Sequence, residues 1–197
     1  MIDGLYKKHA IVTRGCRYKK EDVLMAGNPK NIVLIGMPGA GKSTLGVVLA
    51  KILGYEFIDA DLLIQSKLDK TLQKIIDACG PDGFIEVENE VLCTLDADRA
   101  VIATGGSAVY SDEAMKHLSS IGTVVYLKVS YEELQNRLGG LHERGVVMKN
   151  GMGMSLADLY EERIPLYEQY AEVTIDIDGL SVRDASRRLV DQLSMRS

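Results

Sequence analysis

The chain has 197 residues, of which 46% are hydrophobic and 26% are charged, and its formal net charge is −5. This composition is typical of a folded globular protein and excludes an intrinsically disordered chain. No apolar run reaches the roughly 20 residues of a membrane span and the N-terminus lacks a signal-peptide core, which predicts a cytoplasmic protein without membrane partners.

Charge is unevenly distributed, because residues 1–30 carry seven basic and three acidic side chains whereas the rest of the chain is acidic. A basic arm can attract nucleic acid, but the acidic body would repel such a polyanion. We therefore interpret residues 1–30 as a solvated or partner-contacting N-terminal extension and expect no nucleic-acid partner. Residues 31–197 form the predicted domain.

Beyond residue 30, short apolar runs alternate with amphipathic stretches, a pattern typical of buried parallel strands joined by helices. The predicted strands are 31–35, 57–58, 100–104, 123–127 and 173–177. The predicted helices are 42–53, 62–67, 72–78, 84–96, 111–119, 156–170 and 182–193, and a capping box of Ser130 and Glu133 begins one more. This alternation predicts a three-layer α/β fold around a parallel sheet. Residues 139–155 hold five glycines without a sustained period, which indicates a functional loop such as a lid.

The first predicted strand is followed by Gly-Met-Pro-Gly-Ala-Gly-Lys-Ser at residues 36–43, which matches the phosphate-loop pattern G-x-x-x-x-G-K-[ST]. In such a loop, backbone N–H groups and the N-terminus of the following helix surround the phosphates of a nucleoside triphosphate. Lys42 is predicted to reach the β- and γ-phosphates, and Ser43 to bind Mg²⁺. The predicted nucleotide-binding residues are Gly36, Gly39, Ala40, Gly41, Lys42, Ser43 and Thr44.

Ligands of an open parallel sheet bind at the carboxyl ends of its strands. Asp59 and Asp61 follow the second strand, where one carboxylate can support Mg²⁺ and the other can take a proton from an acceptor hydroxyl. The alternative is that both are helix-capping aspartates. Gly105 and Gly106 permit close backbone approach to a ligand, although a tight turn would use the same residues. Arg144 in the glycine-rich loop can stabilise a transferring phosphoryl group or can simply be solvated.

From about residue 31 to 193, the chain resembles the shikimate kinases. The matching segments, in order, are IGMPGAGKST, FIDADLLI, GFIEVENEVL, ATGGSAVY, VVYLKVS and RIPLYEQYAEVTI. The R-x-P-L-Y pattern at residues 163–167 is a signature of this family rather than of phosphate-loop kinases in general. The resemblance implies a phosphate-loop fold with five parallel strands, helices on both faces and a mobile lid at about residues 139–155.

The resemblance also implies a role for each matching residue. Asp61 would contact the substrate hydroxyls and act as the base, and Arg163 would bind the substrate carboxylate. Gly105 and Gly106 would offer backbone contacts to the substrate. On the donor side, the family pattern puts Asp59 near Mg²⁺, Arg137 against the adenine ring, and Arg144 near the transferring phosphate.

Three departures from the family pattern concern the acceptor side and the lid. In the family, the phenylalanine of the GFR motif is directly followed by an arginine that binds the substrate carboxylate. This chain has Ile85 at that position. Losing one charged hydrogen bond costs about 1.5–3 kcal/mol. Ser107 replaces the third glycine of the family, which adds a side chain where the backbone meets the substrate. Gly145 replaces the proline after the lid arginine.

The resemblance implies ATP-dependent phosphorylation of shikimate to shikimate 3-phosphate in aromatic amino-acid biosynthesis, with ATP and Mg²⁺ required and a monomer expected. Because Ile85 and Ser107 alter the acceptor side alone, a related kinase acting on another polyol or hydroxy acid is the main alternative. A non-catalytic nucleotide-binding regulatory module is a further alternative. The retained Asp59, Asp61 and Arg163 argue against that module.

Overall fold

The computed structural model describes residues 31–138 and 155–195. Its strands are β1 (Ile32–Ile35), β2 (Glu56–Asp59), β3 (Ala100–Ala103), β4 (Thr123–Lys128) and β5 (Val173–Asp176). Its helices are α1 (Lys42–Leu53), α2 (Ala60–Leu68), α3 (Leu72–Cys93), α4 (Asp112–Ile121), α5 (Tyr131–Leu138), α6 (Leu156–Tyr170) and α7 (Val182–Ser194), with a short 3₁₀ helix at Ala108–Tyr110. The predicted lid, with Arg144 and Gly145, lies outside the described residues except for Ser155. In the described part, no helix combines the length and apolar character that a membrane span requires.

The five strands form one parallel sheet in the order β2-β3-β1-β4-β5, which confirms the predicted α/β fold. Strands β1 and β3 are buried along their whole length because the sheet is covered on both faces, which explains their continuous apolar sequences. The edge strand β5 alternates buried and exposed residues. The order of the sheet places the carboxyl ends of β2, β3 and β1 side by side.

Helix α3 covers the two helices predicted at 72–78 and 84–96, and its interruption lies at Gly80, whose φ of 73° and ψ of 174° are not helical. Pro81 follows directly and lacks the N–H that would continue the hydrogen-bonding ladder. The helix ends at Cys93, so the predicted end at residue 96 was wrong. The kink divides α3 into two segments, and the second of these carries Phe84, Ile85 and Glu88.

The predicted capping box at the start of α5 is only half formed. The Ser130 hydroxyl accepts the backbone N–H of Glu133 at 3.2 Å, as expected. The Glu133 carboxylate, however, accepts a hydrogen bond from Arg137 at 2.7 Å instead of turning back. The backbone N–H of Ser130 donates to the Asp178 carboxylate at 3.0 Å, a partner 48 residues away that local sequence cannot reveal.

Candidate active site

The phosphate-loop residues occupy the connection between β1 and the first turn of α1, as the motif predicts. The Nζ atom of Lys42 donates to the carbonyl oxygen of Gly36 at 2.8 Å and to that of Met37 at 3.0 Å. These bonds hold the ammonium group within the turn of the loop. Gly39 and Gly41 have φ angles of 82° and 92°, a left-handed conformation that favours glycine.

The N-terminus of α1 differs from those of the other α-helices in the described residues. In each of the others, a capping side chain accepts a hydrogen bond from a backbone N–H of the first turn. The capping residues, in the order α2 to α7, are Asp59, Thr71, Ser111, Ser130, Ser155 and Ser181. The N-cap residue of α1 is Gly41, which has no side chain for capping, and the first turn of the helix contains no acidic residue. Its N–H groups and positive dipole end are therefore available to a phosphate.

Burial lowers the pKa of Lys42 to about 8. The carboxylates of Asp61, Glu88 and Asp59 oppose this shift, whereas the Arg163 guanidinium adds to it. Lys42 thus interacts electrostatically with residues of α2, α3 and α6 at the same end of the sheet. The predicted lysine, aspartates and arginine are therefore brought together by the fold.

Asp59 is a helix cap, which was one of the interpretations that the sequence left open, and it also contacts the phosphate loop. Its Oδ1 atom caps α2 by accepting the backbone N–H of Asp61 at 3.0 Å and that of Leu62 at 3.3 Å. Its Oδ2 atom accepts the hydroxyl of Ser43 at 2.7 Å. A carboxylate and a hydroxyl are hard oxygen ligands of the kind that Mg²⁺ prefers. The capping bonds fix the carboxylate, and they leave Oδ2 on the side of the phosphate loop.

Asp61 lies in the first turn of α2 and faces the loop that follows β3. A Cβ atom added to Gly105 would lie 3.2 Å from Asp61 Oδ1, so the carboxylate is close to that glycine. Burial raises the pKa of Asp61, and the Asp59 carboxylate adds to the rise, while Lys42 opposes it. A carboxylate with a raised pKa is a stronger proton acceptor.

Arg163 is 1% exposed and projects from α6 toward the same loop. Its Nε atom donates to the Tyr110 hydroxyl at 3.1 Å, and its guanidinium lies 5.0 Å from the centre of the Tyr110 ring. A Cβ atom on Gly106 would be 2.9 Å from Arg163 Nη1. One turn later, the Tyr167 hydroxyl donates to the carbonyl of Gly106 at 2.7 Å. Helix α6 therefore fixes both the loop and the arginine.

The Ser107 side chain, which replaces the third glycine of the family pattern, points into the protein interior. It is buried, and its hydroxyl donates to Glu88 Oε2 at 2.6 Å. Glu88 is 1% exposed. The two partners are separated by 19 positions in the chain, so local sequence does not reveal the pair. The one available signal was a carboxylate within the otherwise apolar buried face of α3, three residues after Ile85.

Arg137 lies beside the phosphate loop. Its Nη1 atom donates to the carbonyl of Ala40 at 3.3 Å, and its Nε atom forms the ion pair with Glu133. Arg137 lies on α5, whereas Asp61 and Arg163 lie on α2 and α6.

Burial raises the pKa of Glu88 from its ordinary 4.5 to about 7, although the hydrogen bond from Ser107 lowers it. Between pH 4.5 and 7 the folded protein therefore holds a proton that the unfolded chain has released, so stability falls as the pH rises through this range. We expect Glu88→Gln, which cannot ionise, to gain up to about 3 kcal/mol relative to the wild type between pH 4.5 and 8. Denaturant unfolding followed by circular dichroism at several pH values measures this gain.

Glu86→Gln is the matched control for this experiment, because Glu86 is an exposed carboxylate on the same helix. Its difference from the wild type is expected to be the same at every pH. A pH-independent difference for Glu88→Gln as well would contradict the raised pKa.

Comparison with known proteins shows which family shares these features. The family profile described as shikimate kinase matches residues 38–194. A shikimate kinase of Francisella tularensis subsp. novicida is 38% identical over 162 residues, which are 81% of this chain and 92% of the relative. A shikimate kinase of Vibrio parahaemolyticus is 36% identical over 168 residues, 85% of this chain and 98% of the relative. The solved structure of a shikimate kinase from Acinetobacter baumannii in complex with shikimate is 32% identical, with a TM-score of 0.76, and the match covers 85% of this chain and 94% of that one.

Proposed function

Because the chain belongs to the shikimate kinase family and is therefore an ATP-dependent small-molecule kinase, we propose that it transfers the γ-phosphoryl group of ATP to a hydroxyl of shikimate. The observation that carries this proposal is the meeting of Lys42, Asp61 and Arg163 at one end of the sheet. They supply, in one place, a cation for phosphate, a base for a hydroxyl and a cation for a carboxylate.

On the donor side, the phosphate loop and the uncapped N-terminus of α1 bind the triphosphate, with Lys42 on its terminal phosphates. Ser43 and Asp59 would hold Mg²⁺, which supplies positive charge against the phosphate oxygens. No group of three or more His, Cys, Asp or Glu side chains able to hold a metal occurs in residues 31–138 and 155–195. A site with Asp59 as its one carboxylate still fits Mg²⁺, because this ion is commonly bound by one or two carboxylates together with substrate phosphates. Arg137 would contact the nucleotide base.

On the acceptor side, Asp61 orients the attacking hydroxyl and takes its proton as the bond to phosphorus forms. Its raised pKa suits this task, since a carboxylate of ordinary pKa is a weak base at neutral pH. Gly105 and Gly106 would offer backbone contacts to the acceptor, and their missing side chains leave room for Glu88, Asp61 and Arg163. Arg163 would receive the carboxylate of the acceptor through a charged hydrogen bond. Arg144 stays a prediction, because it lies outside the described residues.

A coupled assay of ADP release tests this proposal, with shikimate compared against quinate, gluconate and other hydroxy acids. We expect shikimate to give the highest kcat/KM and to require Mg²⁺. If ADP release with shikimate equals the rate without any acceptor, the proposed acceptor is wrong. The same full-length preparation gives the oligomeric state by light scattering, and we expect a monomer.

Ile85 favours a second candidate function, namely a kinase for a related hydroxy acid. The negative charge of that acceptor would lie away from the position of the family's arginine. This side chain is partly buried, lies one turn before Glu88 on α3, and packs with neither hydrophobic core cluster of the described residues. It offers no hydrogen bond to a carboxylate. Among the described residues, Arg163 is then the one cation that we assign to binding the acceptor carboxylate.

Ile85→Arg tests how far this position determines the acceptor. A second guanidinium near the acceptor is expected to raise kcat/KM for shikimate by roughly tenfold, because it adds one charged hydrogen bond. Activity on an uncharged polyol should not rise. Ile85→Met, which keeps an apolar side chain of similar size, is the control. Equal gains on charged and uncharged acceptors would show that the position does not read the carboxylate.

A further inference from the structure

The Tyr110 side chain contacts the arginine that we assign to the acceptor carboxylate. The Nε atom of Arg163 donates to the Tyr110 hydroxyl at 3.1 Å. The guanidinium lies 5.0 Å from the centre of the Tyr110 ring, within the range of a cation–π interaction. Arg163 is 1% exposed, whereas Tyr110 is only partly buried. One tyrosine therefore holds the buried guanidinium through both its hydroxyl and its ring.

The Tyr110 hydroxyl has a second partner, the Glu162 carboxylate. Burial raises the pKa of Tyr110, the hydrogen bond and charge of Arg163 oppose the rise, and the charge and hydrogen bond of Glu162 add to it. Arginine only donates and an ionised carboxylate only accepts, so the hydroxyl accepts from Arg163 and donates to Glu162. The three side chains form a chain of hydrogen bonds in which every donor has a matching acceptor.

Tyr110 itself is held by the segment that follows the glycine loop. Its backbone N–H donates to the carbonyl of Ser107 at 2.9 Å. The next residue, Ser111, caps α4 by accepting the backbone N–H of Ala114 at 3.1 Å. Arg163 lies 53 residues further along the chain, on α6. Tyr110 thus connects the arginine of α6 to the loop beside which the acceptor is proposed to bind.

The orientation of Arg163 is important because Ile85 supplies no second guanidinium. An arginine binds a carboxylate most strongly through two parallel N–H bonds, which requires the planar guanidinium to be fixed at the correct angle. While Nε is bound to Tyr110, the Nη1 atom lies beside the glycine loop, since a Cβ atom on Gly106 would be 2.9 Å from it. The bond to Tyr110 therefore directs the Nη1 end of the guanidinium toward the proposed acceptor site.

We propose that Tyr110 is a positioning residue for the acceptor, which fixes the Arg163 guanidinium in the orientation that binds a carboxylate. The inference rests on the proposed function, where Arg163 is assigned to the acceptor carboxylate. Tyr110 acts through Arg163 and takes no part in the transfer of the phosphoryl group. Loss of its hydroxyl is therefore expected to weaken binding of a carboxylated acceptor and to leave the chemical step unchanged.

The test is Tyr110→Phe in the full-length chain, which removes the hydroxyl and keeps the ring. Two quantities are compared with the wild type, namely KM for shikimate and the inhibition constant of the neutral carboxamide of shikimate, which competes for the same site. We expect KM for shikimate to rise roughly three- to tenfold, which is part of the factor that one charged hydrogen bond contributes. The inhibition constant of the carboxamide, kcat and KM for ATP are expected to stay at their wild-type values.

Tyr170→Phe is the matched control. The Tyr170 hydroxyl donates to Asp112 at 3.0 Å, so this variant also removes a hydrogen bond between a tyrosine and a charged side chain. Tyr170 lies at the end of α6, two turns beyond Arg163. It is expected to keep the wild-type values of all four constants.

A role of Tyr110 in packing alone gives a different pattern. Equal rises for shikimate and its carboxamide, or no change in either, would overturn the proposal. If Tyr110→Phe does not fold, Glu162→Ala is assayed in the same way, because it releases the hydroxyl that holds Arg163. Absence of a rise specific to shikimate in that variant also overturns the proposal. Failure of the wild type to phosphorylate shikimate would instead reject the proposed function, and this inference with it.

Discussion

Lys42→Ala is expected to lower kcat for phosphoryl transfer by roughly a thousandfold or more. The Lys42 ammonium is held in the loop by the carbonyl oxygens of Gly36 and Met37, next to the uncapped start of α1. At this position we expect it to stabilise the negative charge that the terminal phosphate carries during transfer. Alanine keeps the helix but removes the cation. The measurement is single-turnover formation of ADP with saturating ATP and shikimate.

Lys51→Ala is the control for this change. Lys51 is an exposed lysine in the last turn of the same helix, so its loss removes an equal charge far from the loop. It is expected to keep wild-type kcat. Turnover by Lys42→Ala at the wild-type rate would show that the phosphate loop does not bind the reacting nucleotide.

Asp61→Asn is expected to lower kcat by roughly a hundredfold to ten-thousandfold, the range that a general base contributes. The asparagine amide has almost the same shape, so the first turn of α2 and the Asp59 cap should remain. It cannot take the proton of the acceptor hydroxyl at neutral pH. Because Asp59 and Lys42 hold the nucleotide side, KM for ATP should stay nearly unchanged.

The control for this variant is Asp69→Asn, at the other end of α2. Asp69 is exposed and has a φ of 50°, a left-handed conformation that asparagine also tolerates. It is expected to leave both kcat and KM as in the wild type. If Asp61→Asn instead weakens ATP binding and spares the chemical step, Asp61 belongs to the nucleotide side and the assignment of the base is wrong.

The donor half of the site was predictable from sequence because its geometry is local. A strand, a glycine-rich turn and a helix follow one another within 32–53, so the motif contains nearly all the contacts it needs. Even so, Asp59 was presented as either a cap or a metal ligand, whereas its carboxylate caps α2 and also accepts the Ser43 hydroxyl. Its two oxygens face different elements, and no linear pattern could show that.

The acceptor half depends on contacts between distant parts of the chain. Glu88 and Ser107 are 19 residues apart, and Arg163 and Tyr110 are 53 residues apart. Sequence analysis therefore assigned Arg163 by resemblance but missed Glu88 and its hydrogen bond with Ser107. The spacing of Arg163 and Tyr167, four residues apart on α6, was the one local sign that both face the same loop.

These contacts also bear on the two departures from the family pattern at Ile85 and Ser107. Ile85 removes a cation from the acceptor side, while Ser107 binds and orients a carboxylate.

The central claim is phosphoryl transfer from ATP to shikimate, and the most direct measurement is quantification of both products in one reaction. The full-length chain is incubated with ATP, Mg²⁺ and shikimate, and ADP and phosphorylated shikimate are measured by mass spectrometry. We predict that the two form in equal molar amounts, and that neither forms with Lys42→Ala. ADP without phosphorylated shikimate would contradict the proposed acceptor and would leave a kinase for another hydroxy acid as the better explanation.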